Sequence, residues 1–235
     1  MKAIIIGASS GIGRELAKIL AREGYEIGIV ARRKELLDSL QKEIHSPIFL
    51  KQADISCPEE SMALVGALIQ EMGGVDLAIL SSGVGFLNPD FDWNKDKETV
   101  EVNVLGFCAM ANVFMKHFLA KGRGHLVGIS SIAALRGGGS YSASKAFVSN
   151  YLEGLRHQMA KENRLITITD IQPGFVDTAM AKGSGIFWVA PVEKAAEMIY
   201  QAIQKKRTHA YITPRWRLVA WLLKWMPRSL YDRFF

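Results

Sequence analysis

Short runs of apolar and β-branched residues alternate along the chain with longer segments whose apolar residues recur at the period of an α-helix. The short runs predict seven strands, near residues 2–6, 26–31, 48–53, 75–81, 124–130, 165–171 and 209–212. The longer segments predict six helices, near residues 12–23, 33–44, 59–72, 97–120, 141–162 and 192–205. This alternation is typical of repeated βαβ units around a buried parallel sheet. We therefore predict an α/β fold, a doubly wound, Rossmann-like parallel sheet whose ligand crevice lies at the carboxyl ends of the strands.

The length and composition favour one domain. At 235 residues with 49% hydrophobic side chains, the chain can bury one large core, and no repeat or linker divides it. We predict a domain over residues 1–213 and a C-terminal extension over residues 214–235. A strand-like run follows Met1 directly, so no secretion signal is expected. Cys57 and Cys108 have neither metal-ligand nor disulfide-scaffold spacing, which favours a cytoplasmic protein without a bound metal.

The net charge of +6 is concentrated at one end of the chain. From Gln204 to Phe235 there are eight cations against one acid, Asp232, whereas the other 203 residues carry 21 cations and 22 acids. A nearly neutral body with a basic tail does not match the broad basic surface of a nucleic-acid binder. We therefore expect no nucleic-acid partner.

The first predicted strand runs directly into a glycine-rich turn, Gly7-Ala8-Ser9-Ser10-Gly11-Ile12-Gly13, and then into a helix. Glycine permits a tight turn, close approach of the backbone to a pyrophosphate, and close packing of helix on strand. The helix N-terminus adds free N–H groups and the positive end of a dipole. The turn therefore predicts a dinucleotide phosphate site, with an ordinary tight βα connection as the alternative.

Two arginines, Arg32 and Arg33, stand at the end of the second predicted strand, where an NAD site usually places an acid. Cations are mildly unfavourable at the start of a helix, so two in succession suggest a bound anion. We predict that Arg32 contacts the 2′-phosphate of NADP and that Arg33 supports it. The alternative is an ordinary solvated helix start.

Tyr141 and Lys145 stand four residues apart at the start of a long predicted helix and therefore share a helix face. A nearby ammonium, together with an oxidised nicotinamide, favours the phenolate and predicts a lowered pKa of Tyr141 and an acid/base role. With the Gly-x-x-x-Gly-x-Gly turn after the first strand, this pair makes residues 1–212 resemble the short-chain dehydrogenase/reductase family. The resemblance implies hydride transfer between a nicotinamide and a carbonyl or alcohol, with Lys145 also holding the nicotinamide ribose.

The resemblance also implies roles for residues whose local sequence alone says little. Ser131 would hold the substrate oxygen, with Ser130 and Ser140 as alternatives, and Asn103 would support the proton relay. The other implied cofactor contacts are Asp54 and Ile55 at the adenine, Gly83, and Pro173, Gly174, Val176 and Thr178 near the nicotinamide and pyrophosphate. Family members are usually dimers or tetramers, so a homo-dimer or homo-tetramer is expected.

The chain departs from the family pattern in two places. The usual Asn-Asn-Ala-Gly after the fourth strand is replaced by Leu80-Ser81-Ser82-Gly83. Either serine hydroxyls replace the missing amides, or this part of the scaffold is arranged differently. The loop over residues 132–140 is also about three residues shorter than usual, a change with little cost in chain entropy that could still move Ser131.

Two apolar segments bear on the substrate and on the location. Residues 179–190 include Gly183, Gly185, Phe187 and Trp188, which suit a small apolar lid, although a core-facing Phe-Trp pair would give the same composition. In the tail, residues 216–226 combine apolar side chains with Arg217 and Lys224, and Arg228 follows. The segment is too short to span a bilayer. Residues 215–235 are predicted either to lie on the inner face of a membrane or to pack on the body or on another subunit.

We therefore predict an NADP(H)-dependent carbonyl reductase or alcohol dehydrogenase that acts on an apolar substrate, with lipid-linked carbonyl compounds as one such class. Tyr141 is the predicted acid/base, with Lys145, Ser131 and Asn103 in support. Two alternatives stay open. One is a cofactor-binding regulator or scaffold, and the other is an epimerase or dehydratase that uses the cofactor without consuming it.

Overall fold

A computed structural model of the chain describes residues 1–180 and 187–227. Within these residues, seven parallel strands form one sheet in the order β3-β2-β1-β4-β5-β6-β7. The strands are β1 Lys2–Ile6, β2 Glu26–Ala31, β3 Ile48–Gln52, β4 Leu77–Leu80, β5 Arg123–Ile129, β6 Leu165–Pro173 and β7 His209–Ile212. The α-helices are α1 Gly11–Arg22, α2 Lys34–Glu43, α3 Pro58–Glu71, α4 Trp93–Val100, α5 Phe107–Lys121, α6 Gly139–Lys161, α7 Val192–Gln204 and α8 Pro214–Trp225. The predicted doubly wound fold is confirmed.

Two predicted elements differ clearly from the observed ones. The fourth strand was predicted over residues 75–81 and is confined to Leu77–Leu80. The helix predicted over residues 97–120 begins at Trp93 and contains a π-helical segment, Glu101–Gly106, between α4 and α5. A π-helix has one more residue per hydrogen-bonded turn than an α-helix, and the period of apolar residues cannot reveal this difference. π-Helical segments are frequent at functional sites.

The continuous apolar runs of the strands are explained by burial on both faces of the sheet. In β1, Ile5 lies in one core cluster, beneath α1, α2 and α7, whereas Ile4 and Ile6 lie in the other, beneath α3, α5 and α6. All three side chains are at most 1% exposed. Burial of an isoleucine contributes ~1.5–3 kcal/mol, so these strands stabilise the sheet from both sides.

The crevice lies where the chain changes direction across the sheet. Strand β1 pairs with β2 on one side and with β4 on the other, so the connections that leave these strands run to opposite edges. The carboxyl ends of β1 and β4 therefore border a gap that no connection covers, and ligands of open α/β sheets bind at such a point. The glycine-rich turn and the Ser81-Ser82-Gly83 segment both begin there.

One helical stretch of the described residues, Trp93–Lys121, is long and apolar enough to cross a membrane by length and composition. Its most apolar window is 56% buried in the domain, and Phe114 and Phe118 are fully buried in the core. This stretch is therefore a core helix of the fold.

Candidate active site

The glycine-rich turn over residues 7–13, which we call the cradle, leaves no room for a side chain at Gly7 or Gly13. Gly7 has a φ of +90°, and a β-carbon there would stand 2.5 Å from the backbone nitrogen of Ser82. A β-carbon at Gly13 would overlap the carbonyl of Gly7. Helix α1 begins at Gly11, with its free N–H groups at the crevice. This cradle fits a pyrophosphate, which needs close backbone approach and donors.

Of the two arginines after β2, Arg33 lies at the cradle. Its guanidinium donates hydrogen bonds of 3.0 Å to Ser9 Oγ and 2.7 Å to Ser10 Oγ. Arg32 points to the other side, where Nη1 lies 3.5 Å from Asp54 and 3.7 Å from Glu98. Of the two arginines, Arg33 is therefore the one whose guanidinium lies next to the turn. The sequence-based assignment, in which Arg32 contacts the 2′-phosphate and Arg33 supports it, stays a prediction.

Asp54 and Ile55 lie on the predicted adenine side of the crevice. Partial burial opposes ionisation of Asp54, but hydrogen bonds from Ser56 N and Oγ, at 3.0 and 2.8 Å, and the charge of Arg32 hold its pKa below the usual range. Its carboxylate is thus already engaged in a turn. Ile55 is buried. A β-carbon at Gly106 would stand 2.5 Å from the carbonyl oxygen of Ile55, so the π-helical segment packs closely against this part of the site.

The spacing of Tyr141 and Lys145 brings them together on the first turns of α6. Lys145 Nζ lies 5.8 Å from the centroid of the Tyr141 ring and donates a hydrogen bond of 3.0 Å to the carbonyl of Ile129. Burial lowers the pKa of Lys145 to about 8, and the charge of Asp170 opposes this effect. The ammonium therefore approaches its titration range near neutral pH.

The predicted lowering of the pKa of Tyr141 does not occur in the protein without cofactor. Burial of the phenol raises its pKa, and a hydrogen bond with Ser131 opposes the increase only in part. Loss of hydration on burial disfavours the charged phenolate relative to the neutral phenol. Tyr141 is therefore protonated at neutral pH before a cofactor binds.

The serines of this region have separate partners. Ser131 hydrogen-bonds with Tyr141 and also accepts from Ala133 N at 3.1 Å, at the start of a short 3₁₀ turn, Ile132–Leu135. Ser130 donates instead to Asp170, on the side away from Tyr141. Ser140 lies in the first turn of α6, ahead of Tyr141. Despite the shortened loop, the structure brings Ser131, rather than Ser130, to Tyr141.

Asn103 is buried in the π-helical segment and joins the loop after β4 to α6. Its amide accepts from Val84 N at 2.8 Å, donates to Val84 O at 2.8 Å, and donates to Ser144 Oγ at 2.9 Å. A β-carbon at Gly83 would stand 3.1 Å from Lys145 Nζ. The loop that lacks the usual amides is thus held by an amide from a neighbouring helix, and Gly83 and Asn103 both lie beside Lys145.

The segment after β6 meets the cradle at one residue and α8 at another. A β-carbon at Gly11 would stand 3.2 Å from Thr178 Cγ2, so the side chain of Thr178 lies next to the glycine-rich turn. Val176 pairs with Ala190, and Pro173 is the last residue of β6. At Gly174 a β-carbon would overlap the indole of Trp216, so this glycine permits packing of α8. Its predicted contact with the cofactor stays a prediction.

An aromatic cluster lies beside this segment and is defined by Phe175, Phe187, Trp188 and Trp216. Ring centroids of its members lie 5.2 to 6.3 Å apart, and the Trp216 residue itself is 3% exposed. The cluster joins the predicted lid to α8. Gly183 and Gly185 of that lid lie outside the described residues, as does Arg228 of the tail.

Three residues of the site region were not identified from the sequence. Gly85 packs on the ring of Tyr141, Arg136 binds the end of α8, and Asp170 lies behind Lys145. Only Gly85 had a local signal, because it follows Gly83 in a loop at the crevice. The other two act across elements that are distant in sequence.

The site combines the glycine cradle at the end of β1 with Tyr141, which Ser131 and Lys145 flank. This combination is typical of the class of α/β oxidoreductases that use a dinucleotide. Residues 1–186 match the model of the short chain dehydrogenase family, and the chain belongs to that family. A protein of Myxococcus xanthus described as an uncharacterized oxidoreductase is 31% identical over 242 residues, which cover 98% of this chain and 94% of that protein.

Solved structures share the fold. A short-chain dehydrogenase/reductase from Burkholderia phymatum in complex with NAD has a TM-score of 0.83 at 23% identity and covers 94% of this chain and 92% of its own. A short-chain dehydrogenase from Sphingobium yanoikuyae in complex with NADPH has a TM-score of 0.80 at 23% identity and covers 93% of this chain and 91% of its own. Proteins of this fold therefore bind either cofactor, and the preference depends on local residues.

Proposed function

We propose that this chain is a cytoplasmic NADP(H)-dependent oxidoreductase that transfers hydride between nicotinamide and the carbonyl or alcohol group of an apolar substrate. The observation that carries the proposal is the hydroxyl of Tyr141, hydrogen-bonded to Ser131 and backed by the buried ammonium of Lys145. The glycine cradle at Gly7 and Gly13 supports a dinucleotide next to it. A homo-dimer or homo-tetramer is proposed from membership of the family.

The chain's own residues would manage the proton and the substrate oxygen. When bound, the nicotinamide supplies or accepts the hydride. Ser131 and Tyr141 share a hydrogen bond and can both reach one substrate oxygen, so Ser131 orients it while Tyr141 donates a proton to it in the reducing direction. Because burial keeps Tyr141 protonated, the phenol is ready to act as this acid. The charge of Lys145 stabilises the phenolate that forms.

A preference for NADP is proposed from the two arginines after β2. Arg33 presents its guanidinium beside Ser9 and Ser10, so a 2′-phosphate there would meet a fixed cation and two hydroxyls. Arg32 lies across the crevice and would add a second positive charge. Neither residue supplies the carboxylate that binds the ribose hydroxyls of NAD.

An apolar substrate is proposed from the aromatic cluster. Phe187 and Trp188 pack on Trp216 yet stay partly exposed. Met180 and Val189, in the same segment after β6, are partly exposed as well. Apolar surface of this kind binds apolar groups and excludes water from a closed site. Lipid-linked carbonyl compounds are one class that would use it.

The first experiment is reduction of a panel of aliphatic and aromatic aldehydes and ketones with NADPH, with the alcohol product identified by mass spectrometry. Tyr141→Phe keeps the ring and removes the acid, so turnover should fall at least ~100-fold while NADPH still binds. Tyr151→Phe, ten residues later on α6, is the control and should retain turnover. Full retention of turnover by Tyr141→Phe would refute the assignment.

Contact with an anionic membrane is proposed for the outer face of α8. One face of this helix packs on the body through Trp216 and Ala220. The opposite face carries Leu218, Trp221, Leu222 and Trp225, with the two tryptophans 59% and 76% exposed. Arg217 and Lys224 flank it, and residues 205–227 contain no acid. Exposed Trp and Leu bordered by cations suit the interface of an anionic bilayer.

This contact is tested by co-sedimentation with anionic and with neutral liposomes. The full-length protein should pellet preferentially with anionic lipid, and Trp221→Ser combined with Trp225→Ser should abolish this. Leu165→Ser, at an exposed apolar position at the start of β6, is the control and should pellet like the unmodified protein. A truncation at Pro214 is less suitable because it removes the buried Trp216. If the Trp variants instead change the oligomeric mass, the face is a subunit interface and the membrane proposal fails.

A further inference from the structure

A buried carboxylate, Asp170 of β6, lies behind the catalytic pair. It is 4% exposed and accepts hydrogen bonds from Ser130 and Ser149 and, at 3.0 Å, from Gln172 Nε2. His209 Nδ1 of the neighbouring strand β7 lies 3.6 Å from it. We call Asp170, Ser130, Ser149, Gln172 and His209 the carboxylate cluster. Buried charges are rare, and this one is held by several donors at once.

The carboxylate cluster is directly connected to the surroundings of Lys145. Ser149 stands four residues after Lys145 on the same face of α6 and donates to Asp170. Lys145 Nζ binds the carbonyl of Ile129, which immediately precedes Ser130, and Ser130 donates to the other carboxylate oxygen. Two short paths, one along α6 and one along β5, therefore place the anion behind the ammonium.

The cluster keeps Asp170 ionised. Burial opposes ionisation, but the hydrogen bonds from His209, Ser130 and Ser149 outweigh it and hold the pKa of Asp170 below its usual range. The titratable groups that face the carboxylate are His209 from β7 and Lys145 from α6, with Tyr141 one helical turn before Lys145. Asp170 is thus a fixed negative charge at the base of the site.

We propose that Asp170 is a positioning residue that acts through Lys145, keeping the buried ammonium charged so that it can stabilise the phenolate of Tyr141. The inference deepens the proposed function and rests on the Tyr141–Lys145 pair acting as described. Without a nearby anion, a lysine that is 5% exposed would lose its proton more readily, because burial favours the neutral amine. Asp170 offsets that loss without occupying the substrate side of the site.

The test is Asp170→Asn, which keeps the size of the side chain and removes its charge. The titration of Lys145 is followed by ¹³C NMR of lysine labelled at Cε, with the signal assigned by its absence in Lys145→Arg. The midpoint should fall by about one pH unit, a tenfold loss of charged Lys145 above that midpoint. The alkaline limit of the pH profile for NADPH-dependent reduction should fall by the same amount, with KM little changed. An unchanged titration of Lys145 would refute the proposal.

Thr169→Val provides the structural control. Thr169 is buried next to Asp170 on β6 but hydrogen-bonds with His125 and with Arg207 O on the other face of the sheet. Its loss should weaken the fold by a comparable amount without moving the titration of Lys145. If both variants move it equally, Asp170 acts only through the packing of β6 and the proposal fails.

A reciprocal measurement covers the case in which Asp170→Asn does not fold. Coupling between two charges is mutual, so Lys145→Met should raise the titration midpoint of Asp170, followed by ¹³C NMR of its carboxyl carbon. An unchanged midpoint would overturn the proposal. Neither NMR readout depends on turnover, so retention of activity by Tyr141→Phe would refute the proposed function while leaving the coupling of Asp170 and Lys145 measurable.

Discussion

The ring of Tyr141 packs directly on the backbone of Gly85: a β-carbon at residue 85 would stand 2.8 Å from Cδ2 of that ring. The backbone at Gly85 thus limits where the ring of Tyr141 can lie. Gly85 therefore positions the proposed acid, although it belongs to a different element of the fold.

Gly85→Ala should displace the ring of Tyr141 and reduce turnover at least ~10-fold, because small misplacements of a catalytic group are costly. NADPH affinity, measured by fluorescence, should change less than about threefold because the cradle is untouched. Gly154→Ala in α6 is the control, since a β-carbon there meets nothing within 4 Å. Unchanged turnover in Gly85→Ala would mean that the ring is free to adjust.

The two arginines after β2 should contribute unequally to cofactor preference. Arg33→Ala should weaken NADPH binding by ~10- to 100-fold and NADH binding little, because a charge-assisted contact to phosphate is lost. Arg32→Ala should have the smaller effect, since its guanidinium is already paired with Asp54 and Glu98. Lys34→Ala, at the exposed start of α2, is the control. Equal affinity of the unmodified protein for both cofactors would contradict the proposed preference, and a larger loss with Arg32→Ala would restore the sequence-based assignment.

Arg136 should hold α8 against the body. Its Nε donates a hydrogen bond of 2.7 Å to Leu223 O, and its Nη2 donates to Met226 O, so a cation meets the unpaired carbonyls at the end of the helix. Arg136→Met should speed hydrogen exchange of the amides of α8 by ~10-fold, as expected for a loss of about 1–2 kcal/mol. Arg123→Met, at the exposed start of β5, should leave α8 unchanged. The same exchange rates in both variants would show that the aromatic cluster alone holds the helix.

His125 should make the protein sensitive to acid. Burial, with a smaller contribution from the charge of Lys206, lowers its pKa from 6.5 to about 4, so the folded state keeps the ring neutral after the unfolded chain has bound a proton. Stability is therefore fully present above pH 6.5 and falls as the pH drops toward 4, by up to roughly 3 kcal/mol. In urea unfolding at several pH values, His125→Gln should lose this dependence. His45→Gln, at an exposed position, is the control and should keep the pH dependence of stability. The assignment to His125 would be contradicted if His125→Gln kept this pH dependence or if His45→Gln lost it.

Much of the fold and part of the site could be predicted from local patterns. Strand and helix periodicity follows from burial of each element, and the bounds of β1, β2 and β7 agree with prediction to the residue. The spacing of Tyr141 and Lys145 fixes their relation because both stand on one helix, four residues apart. The glycines of the cradle are likewise local, since the backbone of one turn requires them. These motifs indicated the short chain dehydrogenase family, and membership is confirmed by the match over residues 1–186.

The remaining features depend on where side chains point after elements from distant parts of the chain have packed. Arg32 and Arg33 are adjacent in sequence, yet only the sheet order decides which one faces the glycine turn. Ser130 and Ser131 point to opposite sides because consecutive residues at a strand end do so, and β6 determines which side holds an acid. Helix α8 is apolar nearly all round, so periodicity could not select its buried face; Gly174 and the aromatic cluster select it by accepting Trp216. The sequence by itself determined the fold class and the Tyr141–Lys145 pair, because both are encoded within single elements. Only the tertiary structure decided the partners of that pair, because Gly85, Ser131 and Asp170 reach it from three other elements.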